Sequence, residues 1–582
     1  MKCTRLFAVC TFALIALNAP PALAQKPATN STTFATAVRE GKRPRLTVLI
    51  SIDQFRGDYL SRWTNLFLPP KQGANIGGFR YLMEAGSYFV NAHHDHYPTY
   101  TGPGHAALLT GATPNLHGIV SNNWWSLNPS ADKLSKAPKS PYNVYCVEDY
   151  SVSAITSAPS KAKPMSPRNL LSTTVGDELK LATNLRSKQV SLALKDRAAI
   201  LLAGHRPDVC LWYDEESKGW ISSSYYCPKN RLPDWVERSN HQQREIPKVW
   251  KSTLPPEAYK NCLPEPGALT REVKGFEHAI GTEKGQIKIS LSPFANEFVM
   301  ESAEKAVKNE KLGQNDSATD MLTINLSTND YVGHKFGPYS AEALEITVET
   351  DKVLSKFLNF LNTSVPGGLN SCLIVITGDH GVAPIPEAAQ ELGIHGGRIF
   401  AEELVTKVEK ALNARFGEQN WLSDKGTYEE PYLYLNPDAV KKSIEMGTAT
   451  SKTDCERVAA QAVSEITGVY VAFTRTQLLS GEFPSNDISR RVASGFHSRI
   501  SGDILVVPEQ GYIFTDSKTG TSHGTPFAYD THVPILISGF GVRSGVWAER
   551  VSTLDIAPTL SLLLGVEFPS GCVGKPLAPA LR

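Results

Sequence analysis

Three apolar stretches rich in β-branched residues limit what this chain can fold into more than any other feature. They cover residues 45–53, 321–327 and 372–379, and the first and third end in Asp53 and Asp379. Short apolar runs of this kind are typical of buried strands in a parallel sheet. Ligands of open α/β sheets collect at the carboxyl ends of the strands. The pattern therefore predicts an α/β fold with carboxylates along one edge of the sheet.

A stretch rich in proline, glycine and threonine at residues 97–105 reads Tyr-Pro-Thr-Tyr-Thr-Gly-Pro-Gly-His and leads into apolar residues. Proline suits a first helical turn, and glycine allows a ligand to approach the backbone. The stretch predicts an extended segment that enters a helix. The hydroxyl of Thr101 would lie at the start of that helix, where the free N–H groups favour anions. Thr99 is a second candidate, and a threonine that only caps the helix is the simpler alternative.

Acidic and histidine residues recur beside glycines at the predicted strand and turn ends. Asp330 and His334 are four apart, a spacing that places both on one helix face and suits two ligands of one metal. Carboxylates and imidazoles without thiolates suit zinc in a catalytic site, and two metals about 4 Å apart could activate one oxygen and stabilise another. The candidate ligands are Asp53, Asp330, Asp379, His334, His380 and His523.

Other histidines could compete for these roles. His532 follows His523 closely, but the His-Gly context favours His523. The cluster of His93, His94 and His96 is interpreted as part of a strand or loop.

Three further residues could hold an anion. Asn122 lies in a predicted loop, where its amide could meet a phosphoryl oxygen or form an Asx-turn. Lys195 and Arg197 follow a strand-like run and are two apart, so in an extended segment both side chains point the same way and could form an anion clamp. A solvated surface strand is the alternative for this pair.

The first 24 residues are predicted to be a cleaved signal peptide, because two basic residues precede an apolar run and Ala22-Leu23-Ala24 forms a small-residue cleavage site. The mature protein is therefore expected to be secreted or periplasmic, with no membrane span. A net charge of +1 gives no indication of nucleic-acid binding. Cys372 is predicted to be a buried free thiol, and the candidates for disulfide bonds are Cys146, Cys210, Cys227, Cys262, Cys455 and Cys572.

Residues 25–582 are predicted to form one catalytic domain with two insertions. The first insertion spans about residues 126–310 and carries Lys195 and Arg197. The second spans about residues 390–520. It contains helix signals at 401–415 and 452–467 and could form a small subdomain.

The order of these motifs resembles the alkaline phosphatase superfamily, most closely the bacterial periplasmic alkaline phosphatases of the phosphate-irrepressible type, which use a threonine nucleophile. The motifs run from Asp53 to His523, through Thr-x-x-Gly-His, His-Gly-Ile-x-x-Asn, Lys-x-Arg, Asp-x-x-x-His, Gly-Asp-His-Gly and His-Gly. The resemblance implies a three-layer α/β/α sandwich with inserted cap segments and two Zn²⁺ ions. One ion would be bound by Asp330, His334 and His523, and the other by Asp53, Asp379, His380 and Thr101.

The same resemblance implies that Thr101 is the nucleophile, forming a phospho-threonine that water hydrolyses. Asn122, Lys195 and Arg197 would bind the non-bridging oxygens. In the related phosphodiesterases the threonine stands four residues before the histidine of its motif and twenty-one before the asparagine, which favours Thr101 over Thr99.

The oxygen-binding residues decide which reaction the resemblance favours. Nucleotide pyrophosphatase/phosphodiesterases lack the Lys-x-Arg pair, and arylsulfatases need a modified nucleophile that is absent here. A monoester carries one more charge than a diester, so the pair Lys195 and Arg197 favours small phosphate monoesters such as nucleotides or sugar phosphates. A phosphodiesterase is the alternative, and a non-catalytic zinc-binding member of the fold is the second. The sequence gives no prediction of oligomeric state.

Overall fold

The computed structural model describes residues 43–126, 128–136, 141–242, 245–268, 271–423 and 430–581. The predicted signal peptide therefore lies outside the described residues. Within the described ranges, no helix combines the length and the apolar character needed to cross a membrane.

A mixed sheet of eleven strands forms the centre of the molecule. The strand Leu46–Ile52 is buried along its whole length and pairs in parallel with Asp320–Leu326 and with Cys372–Thr377. Gln189–Ala193 continues the parallel part of the sheet beside Asp320–Leu326. Successive strands from one edge to the other are Gly545–Trp547, Ser87–His93, His532–Gly539, Cys372–Thr377, Leu46–Ile52, Asp320–Leu326, Gln189–Ala193, Val209–Asp214, Gly219–Ser223 and Ala154–Ile155, while Val551–Ser552 also pairs with Ser87–His93.

Helices cover both faces of this sheet. Successive side chains of a strand point to opposite faces, so a strand such as Leu46–Ile52, which is buried along its whole length, needs a cover on each face. Val48 and Ile50 belong to one hydrophobic cluster, and Leu49 belongs to another. The first cluster packs against the helices Phe79–Ala85, Pro293–Glu310 and Ala341–Ser364. The second packs against Thr101–Thr110, Val175–Ala182 and Ile556–Leu564. The predicted three-layer α/β/α sandwich is confirmed.

The first predicted insertion, at about residues 126–310, is not separate from the sheet. It supplies the strands Ala154–Ile155, Gln189–Ala193, Val209–Asp214 and Gly219–Ser223. The apolar run that begins the Lys195 segment is fully buried, so it belongs to the core of the fold. The segment that was predicted as the first insertion therefore extends the central sheet.

Residues of the second predicted insertion form a sheet of their own. Tyr432–Leu433, Ile504–Pro508 and Val469–Thr474 pair in antiparallel fashion. The helices Ala401–Phe416 and Lys452–Ser464 pack against this sheet in a separate hydrophobic cluster.

The other elements are short. The remaining α-helices are Tyr59–Arg62, Pro114–His117, Ala131–Lys136, Asp196–Ala203, Asp234–Asn240, Thr328–Phe336, Pro386–Glu391, Pro437–Glu445, Arg475–Ser480, Asp487–Gly495 and Ala528–Thr531. The remaining strands form the pairs Lys71–Gln72 with Asn75–Ile76, Asn123–Trp125 with Asn143–Tyr145, Val249–Lys251 with Glu277–Ala279, and Gly397–Ile399 with Tyr512–Phe514. Single 3₁₀ turns occur at Thr64–Leu66, Pro256–Tyr259, Ile289–Leu291, Gly368–Ser371, Thr553–Asp555 and Ala578–Ala580.

The cysteines of the described ranges form no disulfide bond. Cys372 is a buried free thiol, as predicted, but the six disulfide candidates are free thiols too. Cys146 and Cys455 lie in different hydrophobic clusters, where they pack as small apolar side chains.

Candidate active site

Four neighbouring parallel strands end at one place, and each is followed by predicted site residues. Asp53 directly follows Leu46–Ile52, and Asp379 lies two residues beyond Cys372–Thr377. The other two strands lead into helices: Asp320–Leu326 into the helix of Asp330 and His334, and Gln189–Ala193 into the helix that begins at Asp196. Because these strands are adjacent in the sheet, residues far apart in the chain meet at one edge.

The predicted metal ligands meet there in a buried cluster. Asp53, Asp379 and His380 each have one potential ligand atom within 4.8 Å of those of the other two, and the same holds for Asp330, His380 and His523. His380 thus belongs to both groups. Its Nε2 lies 3.5 Å from Asp53 Oδ1 and 3.3 Å from Asp379 Oδ2.

His334 joins this cluster from its outer side. Its Nε2 lies 3.1 Å from Asp330 Oδ1, as their placement on one turn of a helix predicts. Its side chain is 36% exposed, whereas those of Asp330 and His523 are 4% and 5% exposed. The cluster therefore meets solvent on the His334 side.

Hydrogen bonds orient all three histidines in the same way. Nδ1 lies 2.8 Å from a backbone carbonyl oxygen in each case, and the partners are Thr521 for His334, Gly381 for His380 and Thr99 for His523. A carbonyl oxygen only accepts hydrogen bonds, so Nδ1 must carry the proton. In the neutral form of each ring Nε2 then carries the lone pair, and this nitrogen lies on the side of the carboxylates. Histidines that bind a metal are usually held in this manner.

Unsatisfied buried oxygens give a test of whether a metal fits. Asp53 Oδ1 and Asp379 Oδ2 are buried and accept no hydrogen bond, while Asp53 Oδ2 has the ion pair with Lys195 Nζ at 2.8 Å. Such atoms are rare in folded proteins unless they bind an ion or water. Together with three lone pairs from imidazole and the absence of a thiolate, they form a donor set that fits Zn²⁺.

Thr101 and Asn122 both lie at the start of the helix Thr101–Thr110. Thr101 is the first residue of that helix, and its Oγ1 lies 3.4 Å from His380 Nε2. Thr99 instead donates its hydroxyl to the carbonyl of Thr525. The side-chain oxygen of Asn122 accepts the Gly102 N–H at 2.9 Å, which leaves the amide NH₂ free to donate.

Lys195 and Arg197 do not lie in an extended segment as predicted, because a helix begins between them at Asp196. Lys195 Nζ lies 2.8 Å from Asp53 Oδ2 and 2.6 Å from Asp330 Oδ2. Arg197 instead donates from Nη1 to the hydroxyl of Tyr145 at 3.1 Å, and its buried Nε has no partner. The two cations thus have different partners: Lys195 contacts the two carboxylates, and Arg197 contacts Tyr145.

Gly104 permits a close contact within the protein. A side chain there would meet the Asp379 backbone oxygen at 2.1 Å. At Gly102 it would meet the Asn122 side chain at 3.2 Å. Gly104 therefore allows the Thr101 helix to lie directly against the end of the strand that precedes Asp379.

Burial and neighbouring charges shift the pKa values in opposite directions across the cluster. Burial, and then Asp379, raise the pKa of Asp53. For Asp330 the effect of burial is outweighed by His334 and Lys195, which hold its pKa well below the usual value. Burial and the neighbouring His380 lower the pKa of His523. A neutral His523 with a free lone pair is the form that binds a metal.

The competing histidines lie outside both groups of potential ligands among the described residues. His532 Nε2 contacts the backbone oxygen of Val90, and its ring stacks on His93. Burial lowers the pKa of both His94 and His96, and neither belongs to a group of potential metal ligands among the described residues.

Two buried residues of the site were not predicted. Gln54, which follows Asp53, contacts both Asp330 and Asp379. His105 Nδ1 lies 3.2 Å from Asp379 Oδ2 and 2.9 Å from the Thr101 carbonyl. The histidine of the Thr-x-x-Gly-His motif was a signal for His105. Nothing in the residue type of Gln54 indicated its contacts.

A strand edge that gathers acids and imidazoles beside a threonine at a helix start defines an enzyme of the alkaline phosphatase superfamily. A crystal structure of wild-type alkaline phosphatase PafA matches this fold with a TM-score of 0.79 and 30% sequence identity, covering 93% of this chain and 99% of that one. The predicted resemblance to the alkaline phosphatase superfamily is confirmed, and so is the prediction of an enzyme.

Curated relatives agree with the structural match. Alkaline phosphatase PafA from Elizabethkingia meningoseptica is 32% identical, covering 93% of this chain and 95% of that protein. Alkaline phosphatase PhoV from Synechococcus elongatus is also 32% identical and covers 93% of each protein. Residues 47–532 match the family described as type I phosphodiesterase / nucleotide pyrophosphatase, and the chain belongs to that family.

Proposed function

We propose that this protein is a secreted or periplasmic alkaline phosphatase that binds two Zn²⁺ ions and hydrolyses small phosphate monoesters through a phospho-Thr101 intermediate. The observation that carries the proposal is the position of Thr101 Oγ1, 3.4 Å from a histidine nitrogen that belongs to both groups of potential metal ligands. Bound zinc ions supply Lewis-acid stabilisation of the attacking and leaving oxygens.

The residues of one ligand group, Asp53, Asp379 and His380, would hold one ion beside Thr101. Asp330 and His523, joined by His334 on the outer side, would hold the other. His380 would lie beside both ions, because it belongs to both groups of potential ligands. The orientation of the histidines and the unsatisfied Oδ1 of Asp53 support this division.

In the first step, Thr101 Oγ1 forms a bond to phosphorus while the bond from phosphorus to the ester oxygen breaks. The hydroxyl loses its proton, and the leaving alkoxide gains one to depart as an alcohol. The start of the Thr101 helix favours the negative charge of the phosphoryl group. Water then attacks phospho-Thr101, which releases inorganic phosphate and restores the hydroxyl.

Three side chains would bind the non-bridging oxygens. The amide of Asn122 is held by its bond to Gly102, so its NH₂ group is oriented before substrate binds. Lys195 lies between Asp53 and Asp330, one carboxylate from each ligand group. Burial lowers the pKa of Lys195, but the carboxylates of Asp330 and Asp53 raise it by a larger amount. The pKa therefore lies above its usual value, and Lys195 stays charged at alkaline pH.

A structural relative supports this set of residues. A second structure of PafA, with a TM-score of 0.80, is a variant substituted at a threonine, an asparagine, a lysine and an arginine. Its lysine and arginine are two residues apart, as Lys195 and Arg197 are in this chain.

Phosphate monoesters and methyl diesters of the same alcohol separate the two candidate functions. We expect the wild-type enzyme to have the higher kcat/KM for the monoester. Lys195→Ala/Arg197→Ala should lower that value by a factor of about 100 or more, because each charged donor stabilises charge in the transition state. The diester should be affected less. A wild-type preference for the diester would reject the monoesterase.

Threonine substitutions test the intermediate. Thr101→Ala should abolish trapping of a phosphoenzyme at low pH, while the neighbouring Thr99→Ala should retain it. Phosphorylation that persists in Thr101→Ala would identify a different nucleophile. A zinc-loaded wild-type protein that turns over neither ester would instead support the non-catalytic alternative.

A phosphodiesterase is the second candidate, favoured by the family match over residues 47–532. The comparison of esters decides between the two. Export would be tested by fractionating cells that express the full chain: recovery of a form lacking residues 1–24 outside the cytoplasm is the expected result.

A further inference from the structure

Gln54 holds an unusual backbone conformation directly after Asp53. Its φ angle is +61°, in the left-handed region, which residues other than glycine seldom adopt. Such a conformation costs on the order of 1 kcal/mol or more and persists where the surroundings fix it. The side chain is 1% exposed.

This conformation lets Gln54 reach one carboxylate of each ligand group. Its backbone N–H donates to Asp379 Oδ1 at 3.1 Å, and its side-chain Nε2 donates to Asp330 Oδ1 at 2.7 Å. A carboxylate only accepts hydrogen bonds, so the end of the amide that faces Asp330 must be the NH₂ group.

A glycine in the neighbouring helix makes room for the other end of that amide. The helix Thr328–Phe336 carries Asp330 and His334, and Gly333 lies between them. A Cβ atom on Gly333 would lie 1.7 Å from Gln54 Oε1, and its three nearest contacts would all be atoms of Gln54. The Gln54 side chain therefore fills a notch in the helix that supplies two potential ligands.

We propose that Gln54 is a positioning residue that orients the Asp330 carboxylate from a backbone fixed to Asp379, and this proposal rests on the proposed two-zinc site. The two hydrogen bonds differ in one useful respect. The bond to Asp379 comes from the backbone and survives a change of side chain, whereas the bond to Asp330 does not. Loss of the side chain should therefore weaken one centre and spare the other.

Gln54→Met tests this difference. Methionine has a similar length and, like glutamine, is unbranched at Cβ, so the strain of the positive φ angle is kept while the donor is lost. We expect the zinc ion of the Asp330 centre to dissociate about 10- to 100-fold faster, the usual range for loss of a group that orients a ligand. The ion of the Asp379 centre should dissociate at the wild-type rate.

The measurement is release of zinc to a chromogenic chelator, followed over time for the zinc-loaded protein. His334→Ala identifies which kinetic phase belongs to the Asp330 centre. Thermal melting of the metal-free wild type and Gln54→Met is measured in parallel. Equal melting temperatures with one accelerated phase support positioning. Unchanged release, or acceleration of both phases with a lower melting temperature, would overturn it.

Gly333 provides a second test through a double-mutant cycle. Gly333→Ala should accelerate the same phase, because its methyl group displaces the Gln54 amide. In a Gln54→Ala background the added methyl group has room, so Gly333→Ala should change the rate by less than about twofold. Additive effects of the two substitutions would argue against the notch. Wild-type protein that binds no zinc at all would refute the proposed function itself rather than the role of Gln54.

Discussion

At the scale of single residues, the histidines show what residue type alone leaves open. The sequence indicated that His334, His380 and His523 could bind a metal, but an imidazole has two nitrogens. Nε2 is the nitrogen left available in all three, because Nδ1 lies 2.8 Å from a carbonyl oxygen each time. Those carbonyls belong to loops that sequence reasoning could not place.

Asp530 gives a prediction of pH dependence outside the active site. Burial raises its pKa from 3.8 to about 7, and one of its oxygens accepts the Thr525 N–H at 2.7 Å. The folded state therefore holds a proton that the unfolded state loses above about pH 4. The stabilisation is complete below pH 3.8 and is lost as pH rises through about 7.

The free energy of unfolding of the metal-free protein should consequently fall by about 3 kcal/mol from pH 5 to pH 8 through Asp530 alone. Asp530→Asn keeps an acceptor for Thr525 but cannot titrate. Urea unfolding at several pH values should show this slope in the wild type and its loss in the variant. Identical slopes would mean that Asp530 ionises normally.

At the scale of elements, the segment of Lys195 and Arg197 shows why boundaries are hard to predict. The apolar run 198–203 suits a strand as well as a helix, and periodicity does not distinguish short runs of this kind. The strand ends at Ala193 and the helix starts at Asp196, so the two cations point in different directions. By contrast, the helix carrying Asp330 and His334 was predicted, because it follows a strand and has a clear four-residue spacing.

The contact between the Thr101 helix and the strand end before Asp379 leads to a prediction for Gly104→Ala. Alanine favours a helix, yet its Cβ would lie 2.1 Å from the Asp379 oxygen. The clash should outweigh the propensity and lower the free energy of unfolding by about 1–3 kcal/mol. It should also reduce kcat, since Thr101 moves with the helix. Urea unfolding and steady-state kinetics measure both effects.

Gly102→Ala is the matched control in the same helix, because its closest contact would be 3.2 Å. Its effect on unfolding should be clearly smaller than that of Gly104→Ala. Equal effects would show that loss of glycine itself, rather than contact with Asp379, is responsible.

At the scale of the whole molecule, the central cluster predicts that stability depends on bound metal. Asp53, Asp330 and Asp379 are buried together, and Lys195 is the cation that pairs with two of them. Removal of bound ions leaves this negative charge poorly compensated. A ligand present at a thousand times its Kd contributes about 4 kcal/mol to stability.

Chelation of both proposed zinc ions, each contributing about 4 kcal/mol, should therefore lower Tm by about 7 °C, because the entropy of unfolding of a protein of this size is about 1.2 kcal/mol/K. Calorimetry with and without a chelator measures the shift. Added Zn²⁺ should restore Tm, and added Ca²⁺ should not, since the cluster offers imidazoles that Ca²⁺ does not favour. An unchanged Tm after verified removal of metal would contradict this dependence.

The sequence by itself determined the α/β class, the strands that end in acids and the identity of the candidate ligands. It could do so because buried strands need apolar runs and because metal chemistry limits which side chains can serve. Only the tertiary structure decided that four adjacent strands bring these residues to one edge, and that the strands Gln189–Ala193, Val209–Asp214 and Gly219–Ser223 extend the central sheet. It also decided the contacts of Gln54 with Asp330 and Asp379, because they depend on a positive φ angle and on a notch in a helix more than 270 residues away in the chain.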